Sequence, residues 1–322
     1  IGFRLRGNTS RFRPQGKDFP KDNSGNVKMN ESWSQEYYTY AATCPDTDYR
    51  QSHFKVDFEE FLEGDAEMKM AGCMKGGALK RMDSTCTREI MCYDLFHKFG
   101  IWTAPYASHT RVLFKFVEDV DEQGNIISDT TNCTVTDVDF GVYEMFEEVN
   151  KQSLKAREDG NNSASNPWKN NKGNLWKVSG GDLSNPNATM DVEENLIEFN
   201  EDGTFKSYIW NQPTYDLKTN KESPDKESAI TELQGFITEL KNLPSSNTNA
   251  NDEKAIKDFY EKWFDIDFFL KSYAVNILVG MDDDYWGNAN NYYLYFGKDK
   301  NKNTKVYFIP FDYDNTLGAA IK

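Results

Sequence analysis

An α+β chain in two lobes is predicted by three features of the sequence. Apolar residues alternate with period two in short runs of the first half, three long helical patterns fill much of the second, and two aromatic strands come late. The 322 residues are 38% hydrophobic and 14% aromatic, enough to bury a sizeable core. Acidic residues outnumber basic ones, 52 to 37, giving a net charge of −15 and a pI near 4.8. A field of that sign repels a phosphate backbone, so nucleic acid is excluded as a general partner. A nucleotide held by metal ions in one local pocket is not.

In chain order, Ile1, Phe3 and Leu5 share one face of a strand against Arg4 and Arg6, and Gly7 to Arg11 form a tight polar turn. A Lys-, Asn- and Ser-rich stretch over about 12–50 reads as an insertion. Strand alternation returns at Ser52–Phe58, with Phe54, Val56 and Phe58 on one side and Lys55 on the other. Asp83-Ser84-Thr85 supplies helix-capping chemistry, Ile90, Met91, Leu95, Phe96 and Phe99 form an apolar stripe, and Gly100 is a natural stop. Arg111–Val117 and Cys133–Val149 read as strands of one antiparallel sheet. The region 157–190 is Asn/Ser/Gly-rich, a surface insertion with one short strand at Leu175-Trp176-Lys177. Helices are expected at Glu222–Leu243, Asp252–Phe264 and Asp265–Gly280, the last apolar on most sides and therefore buried. Strands at Asn291–Gly297 and Lys305–Phe311 follow, joined by a polar turn.

No apolar run reaches the roughly 18–20 residues that span a bilayer; the longest, Tyr273–Met281, contains Asn276. The sequence begins with Ile1 rather than Met, and it reads as an excised domain or mature fragment whose targeting segment is missing. Five cysteines (Cys44, Cys73, Cys86, Cys92, Cys133) without a C-x-x-C pair, and three histidines, argue against structural zinc. One or two disulfides with an odd thiol are expected. Sequons at Asn8, Asn30, Asn132, Asn161 and Asn187 are a weak pointer to a secretory route, since an Asn-rich chain produces such triplets by chance.

Chemistry concentrates near the end. Met281-Asp282-Asp283-Asp284-Tyr285-Trp286-Gly287-Asn288 leaves a helix for a strand, and the next strand delivers Phe311-Asp312-Tyr313-Asp314-Asn315. A hairpin would bring both acidic ends to one edge. Carboxylate and amide oxygens without His or Cys select Mg²⁺, Mn²⁺ or Ca²⁺. A lone Asp run is more often a solvated cap; the second Asp pair and Asn291 shift the reading to a metal site. An EF-hand beginning at Asp282 fails, because Trp286 and Tyr293 occupy ligand positions. Asp312-Tyr313-Asp314-Asn315-Thr316-Leu317 resembles the first motif of haloacid-dehalogenase-type phosphatases, with Asp312 as nucleophile. That motif opens its domain, and here it closes the chain. Helix, Asp, Asn, strand, strand, Asp is also the order of a phosphoryl-transfer site that holds metal ions with Asp and Asn.

Several segments together resemble the CotH kinase family of spore-coat-protein-H-like atypical kinases. They are Leu5-Arg6-Gly7-Asn8-Thr9-Ser10-Arg11, Ser52-His53-Phe54-Lys55-Val56, Thr87 to Phe96, Gly141 to Glu147, Gly173-Asn174-Leu175-Trp176-Lys177, Asn291 to Tyr295 and Phe308 to Asp314. The resemblance implies one divergent protein-kinase-like domain over 1–322, a mainly β N-terminal lobe to about residue 150 and a mainly helical C-terminal lobe from about 151. It further implies ATP with Mg²⁺ or Mn²⁺, a protein substrate and a secreted or cell-surface location. By position, Asp283 (or Asp282) looks like the catalytic base, and Asn291 (or Asn288), Asp312 and Asp314 like the metal group. Lys55 looks like the phosphate-binding lysine, Glu89 its helix partner, Arg11 part of the phosphate-covering turn, and Glu147 part of the adenine side. A catalytically silent binding or adhesion module on the same fold is the competing class.

Overall fold

The computed structural model describes residues 2–5, 52–57, 76–81, 85–117, 135–159, 172–190, 196–201, 205–209, 213–299 and 301–319. Arg11, the insertion over 12–50, and Cys44, Cys73 and Cys133 lie outside them.

The first half builds β1 (Gly2–Leu5), β2 (Phe54–Asp57), β3 (Gly76–Lys80), helix α1 (Arg88–Lys98), β4 (Ala107–Val117), β5 (Val135–Glu147) and helix α2 (Lys151–Asp159). Its strands form one five-stranded antiparallel sheet in the order β1-β2-β3-β5-β4. The second half adds β6 (Asn174–Val178), β7 (Leu196–Phe199), β8 (Phe205–Ile209) and β9 (Tyr215–Leu217). Helices α3 (Asp225–Lys241), α4 (Ala250–Trp263) and α5 (Ile266–Val279) come next, then β10 (Tyr292–Lys298) and β11 (Thr304–Pro310). Strands β11-β10-β6-β9 make a four-stranded antiparallel sheet, and β7 pairs with β8 alone. The architecture is thus mixed α+β, with two main antiparallel sheets and five helices among the described residues. None of those helices is long and apolar enough to cross a membrane.

Strand periodicity sorts side chains between three cores. On β3, Leu79 joins Phe54, Phe140 and Tyr143 on one face of the first sheet, while Ala78 faces α1. Lys55 stands opposite Ala78 in the β2–β3 register, so it shares the Ala78 face. On β10, Tyr292, Leu294 and Phe296 meet α3 and α4 through Phe236, Phe259 and Trp263. The alternate residues Tyr293 and Tyr295 face the core that α1 and α5 share. Asn249 and Asp265 cap α4 and α5 by accepting main-chain N–H bonds, worth about 1 kcal/mol each.

Two expectations need correction. Helix α5 is not buried: Phe268, Val275, Asn276 and Val279 pack inward, but Leu270, Ile277 and Leu278 are 56%, 62% and 63% exposed. An apolar residue on every side removes the periodicity that would have marked the inward face. Helix α1 starts after Thr87 rather than at Asp83-Ser84-Thr85, and Thr87 turns its hydroxyl back to the Thr85 carbonyl instead of capping.

Candidate active site

The β10–β11 register sets Tyr292 opposite Pro310, so the loop ending at Asn291 and the segment beginning at Phe311 leave the same edge of the second sheet. Opposite them, α1 presents Glu89 and the end of β3 presents Lys80, both almost wholly buried. Lys80 Nζ lies 2.5 Å from Glu89 Oε2 and 3.5 Å from Asp314 Oδ2, and it contacts Asp312 Oδ1 as well. Oxygens of Glu89, Asp312 and Asp314 all fall within 4.8 Å of one another. One ammonium among three carboxylates leaves a formal charge of −2 when all are ionised. Oxygen-only donors with that deficit suit a hard divalent cation.

Helix α1 grips the Asp312 segment along its length. Tyr93 Oη donates to Glu89 Oε1 (2.8 Å) and accepts the Asp312 N–H (3.0 Å), and Glu89 Oε1 also accepts the Tyr313 N–H (3.1 Å). Arg88 donates to the Asp314 carbonyl, and Cys92, a free thiol, meets Thr316 at 3.2 Å. Burial raises the Cys92 thiol to about 11, and burial followed by the Glu89 charge holds the Tyr93 hydroxyl well above the usual phenol value. Burial also lifts Asp314 to about 6: Lys80 pulls the other way, and Asp312 and Glu89 add to the rise.

In the loop after α5, Asp283 accepts from the Asn288 amide at one oxygen (2.7 Å) and from the Asn291 amide at the other (2.8 Å). Asp282 is exposed. Gly287 cannot carry a Cβ, which would collide with the Asp282 carbonyl oxygen, so this tight fold-back depends on glycine. Asp284 is buried and takes bonds from the Asn276 amide and the Trp286 N–H, and Asn276 in turn accepts from Tyr313 Oη. The single polar residue in the apolar α5 run therefore ties both acidic segments together.

Burial, with Asp283 and Asp282 adding to it, raises Asp284 to about 6. The folded chain thus holds this proton more tightly than the unfolded chain does. Its contribution to stability is full below the ordinary carboxylate pKa and is lost as pH rises through about 6. A two-unit shift corresponds to about 3 kcal/mol at most. Between pH 4 and 6.5 the Asp284→Asn variant should therefore lose less melting temperature than the parent. Parallel curves for the two proteins would contradict this.

A cavity of about 220 Å³ opens beside the charged cluster. Lys55, Ala78 and Phe146 line it from the first sheet, Val149 from the connection after β5, and Tyr293 and Phe311 from the second sheet. The geometry meets the expectations unevenly. Glu89, Asp312 and Asp314 come together, and so do Asp283, Asn288 and Asn291. The lysine that meets Glu89 is Lys80 and not Lys55, which pairs with Glu148 at 3.2 Å along the cavity wall. Glu147 borders the cavity, but its carboxylate is engaged by Arg157 (2.8 and 3.1 Å) and by the Tyr106 N–H. Sequence reasoning passed over Lys80 although Ala78-Leu79-Lys80, a small residue and a lysine on one strand face ahead of a helix bearing Glu89, was a usable signal.

The CotH kinase protein family model matches residues 45–322, most of the chain, so the chain belongs to that family. No curated protein and no solved structure matches it significantly.

Proposed function

We propose that the chain is an atypical protein kinase. In this reading one kinase-like domain spans 1–322, with lobes meeting near residue 150, and transfers the ATP γ-phosphate to a secreted or surface protein. The observation that carries it is the buried Lys80–Glu89 pair converging with Asp312 beside a cavity lined from both sheets. Lys80 holds the phosphates that are not transferred, and Glu89 orients it. Ala78, Phe146 and Tyr293 provide apolar surface for a purine, while Lys55 adds positive charge along the wall and Glu147 shapes that side. Asp283, oriented by two amides, accepts the acceptor hydroxyl's proton as the new O–P bond forms. The bond from the γ-phosphorus to the bridging oxygen breaks, and ADP leaves.

Asn291, Asp312 and Asp314 would hold Mg²⁺ or Mn²⁺, which neutralises phosphate charge. Asn291 supports this through geometry: its amide nitrogen serves Asp283, leaving its carbonyl oxygen for another partner. Arg11, outside the described residues, is assigned to the phosphate-covering turn on sequence position alone. An exposed Asn187 in a turn closed by Asn185 is in keeping with the secretory route.

Melting the protein with and without ATP plus Mn²⁺ or Mg²⁺ tests this reading. At ~100 times the dissociation constant, binding contributes about 2.7 kcal/mol, a rise of several degrees. Asp312→Ala should abolish the rise, and labelled ATP should pass phosphate to protein only in the parent. No metal-dependent rise in the parent would leave the binding-module class.

A further inference from the structure

We infer that Tyr93 is a positioning residue whose hydroxyl locks helix α1 and the Asp312 segment into one unit, setting the lysine partner and the metal-binding carboxylate with a single group. This deepens the phosphotransfer reading and rests on it for its functional half.

Asp312 adopts a left-handed backbone, φ +64°, which side-chain-bearing residues take at a cost and which something must hold. Its N–H is held by Tyr93 Oη and the next N–H, of Tyr313, by Glu89 Oε1. The Tyr93 hydroxyl proton goes to the same Glu89 oxygen, leaving Oε2 for Lys80. One phenol therefore fixes the rotamer of Glu89 and the peptide of Asp312, two of the three carboxylates that contact Lys80. Spacing makes the arrangement possible: Glu89 and Tyr93 are four residues apart and stack on one helix face. The Tyr93 ring is packed independently against Phe146 (5.8 Å) and Tyr313 (5.9 Å), so phenylalanine preserves the core and deletes only the hydroxyl.

The test is backbone hydrogen exchange across 311–315 in the free chain, for the parent and Tyr93→Phe. Tyr215→Phe, which removes a buried hydroxyl from the core under α3 and α4, controls for general loosening. In the parent the Asp312 and Tyr313 amides should be protected. In Tyr93→Phe they should exchange at least tenfold faster, with no change in Tyr215→Phe. The Mn²⁺ concentration for half-maximal thermal stabilisation at fixed ATP should rise at least fivefold in Tyr93→Phe alone.

Loop-like exchange of these amides in the parent overturns the lock without any variant. Equal exchange in parent and Tyr93→Phe also overturns it, and faster exchange with an unchanged Mn²⁺ midpoint overturns the positioning role. If the parent shows no Mn²⁺–ATP stabilisation at all, the phosphotransfer reading and the positioning role built on it fail, while exchange still decides whether the lock exists.

Discussion

Lys80→Met is expected to lower the rate of phosphoryl transfer by roughly 10²–10³-fold, the usual consequence of removing one preorganised charge from a developing phosphate transition state. Its effect on stability is also expected to be large, because three carboxylates lose the ammonium among them. Removing one partner of a buried ion pair costs about 3–5 kcal/mol. Part of that is recovered here, since Asp314 already titrates near 6 and can take up a proton. The variant should melt lower than the parent, and Mn²⁺ without nucleotide should restore more of the loss than it adds to the parent, because no lysine competes for Glu89, Asp312 and Asp314. Lys55→Met is the contrasting case. Its pairing with Glu148 is partly solvated, worth at most about 1 kcal/mol, and transfer should fall less than about tenfold. Single-turnover transfer from labelled ATP, with melts in and out of Mn²⁺, separates the two lysines. Loss of activity in Lys55→Met with retention in Lys80→Met would reverse the assignment.

Asp283→Asn is expected to lower kcat by about 10²–10⁴-fold while the stabilisation by ATP and Mn²⁺ stays within a degree or so of the parent's. The side chain keeps its shape, but one acceptor oxygen becomes an NH2 donor, so it loses the capacity to take up a proton together with one of its two amide bonds. Of the metal-holding residues assigned above, Asp312 and Asp314 are untouched, and Asn291 keeps its amide bond when the remaining oxygen faces it. A parent-like rate in Asp283→Asn would move the base to Asp282, which the Asp282→Asn variant then tests. Loss of nucleotide stabilisation instead would make Asp283 a binding residue.

Much of the geometry of the candidate site was legible because its parts lie in short, ordered stretches. The loop from Asp283 to Asn291 and the strand delivering Asp312 needed only helix, loop and hairpin signals to be brought to one edge. The signal at Lys80 was faint for a physical reason. Gly76-Gly77-Ala78 has poor strand propensity, and β3 exists because Gly76 lets the Val56 carbonyl approach where a Cβ would collide. Lys55, in a run with visible alternation, attracted the assignment instead. Asn276 read as an interruption of an apolar helix, since its partners, Asp284 and Tyr313, are joined only by tertiary folding. Strands β7, β8 and β9 escaped in the same way, being short, set amid Asn, Asp and Glu, and stabilised by pairing rather than by pattern.

The Lys80–Asp312 contact joins residues 232 positions apart, and the bonds from Arg88, Glu89 and Tyr93 to the same segment span 219 to 226. At ~5–20 residues per second, a ribosome needs on the order of tens of seconds to make the intervening chain. Through that interval the first sheet carries a lysine whose later partners have not been synthesised. The charged cluster closes only after Asp312 and Asp314 have emerged. On the phosphotransfer reading a nascent chain is silent until residues 312–314 have emerged, and competence arrives as one event instead of growing with length.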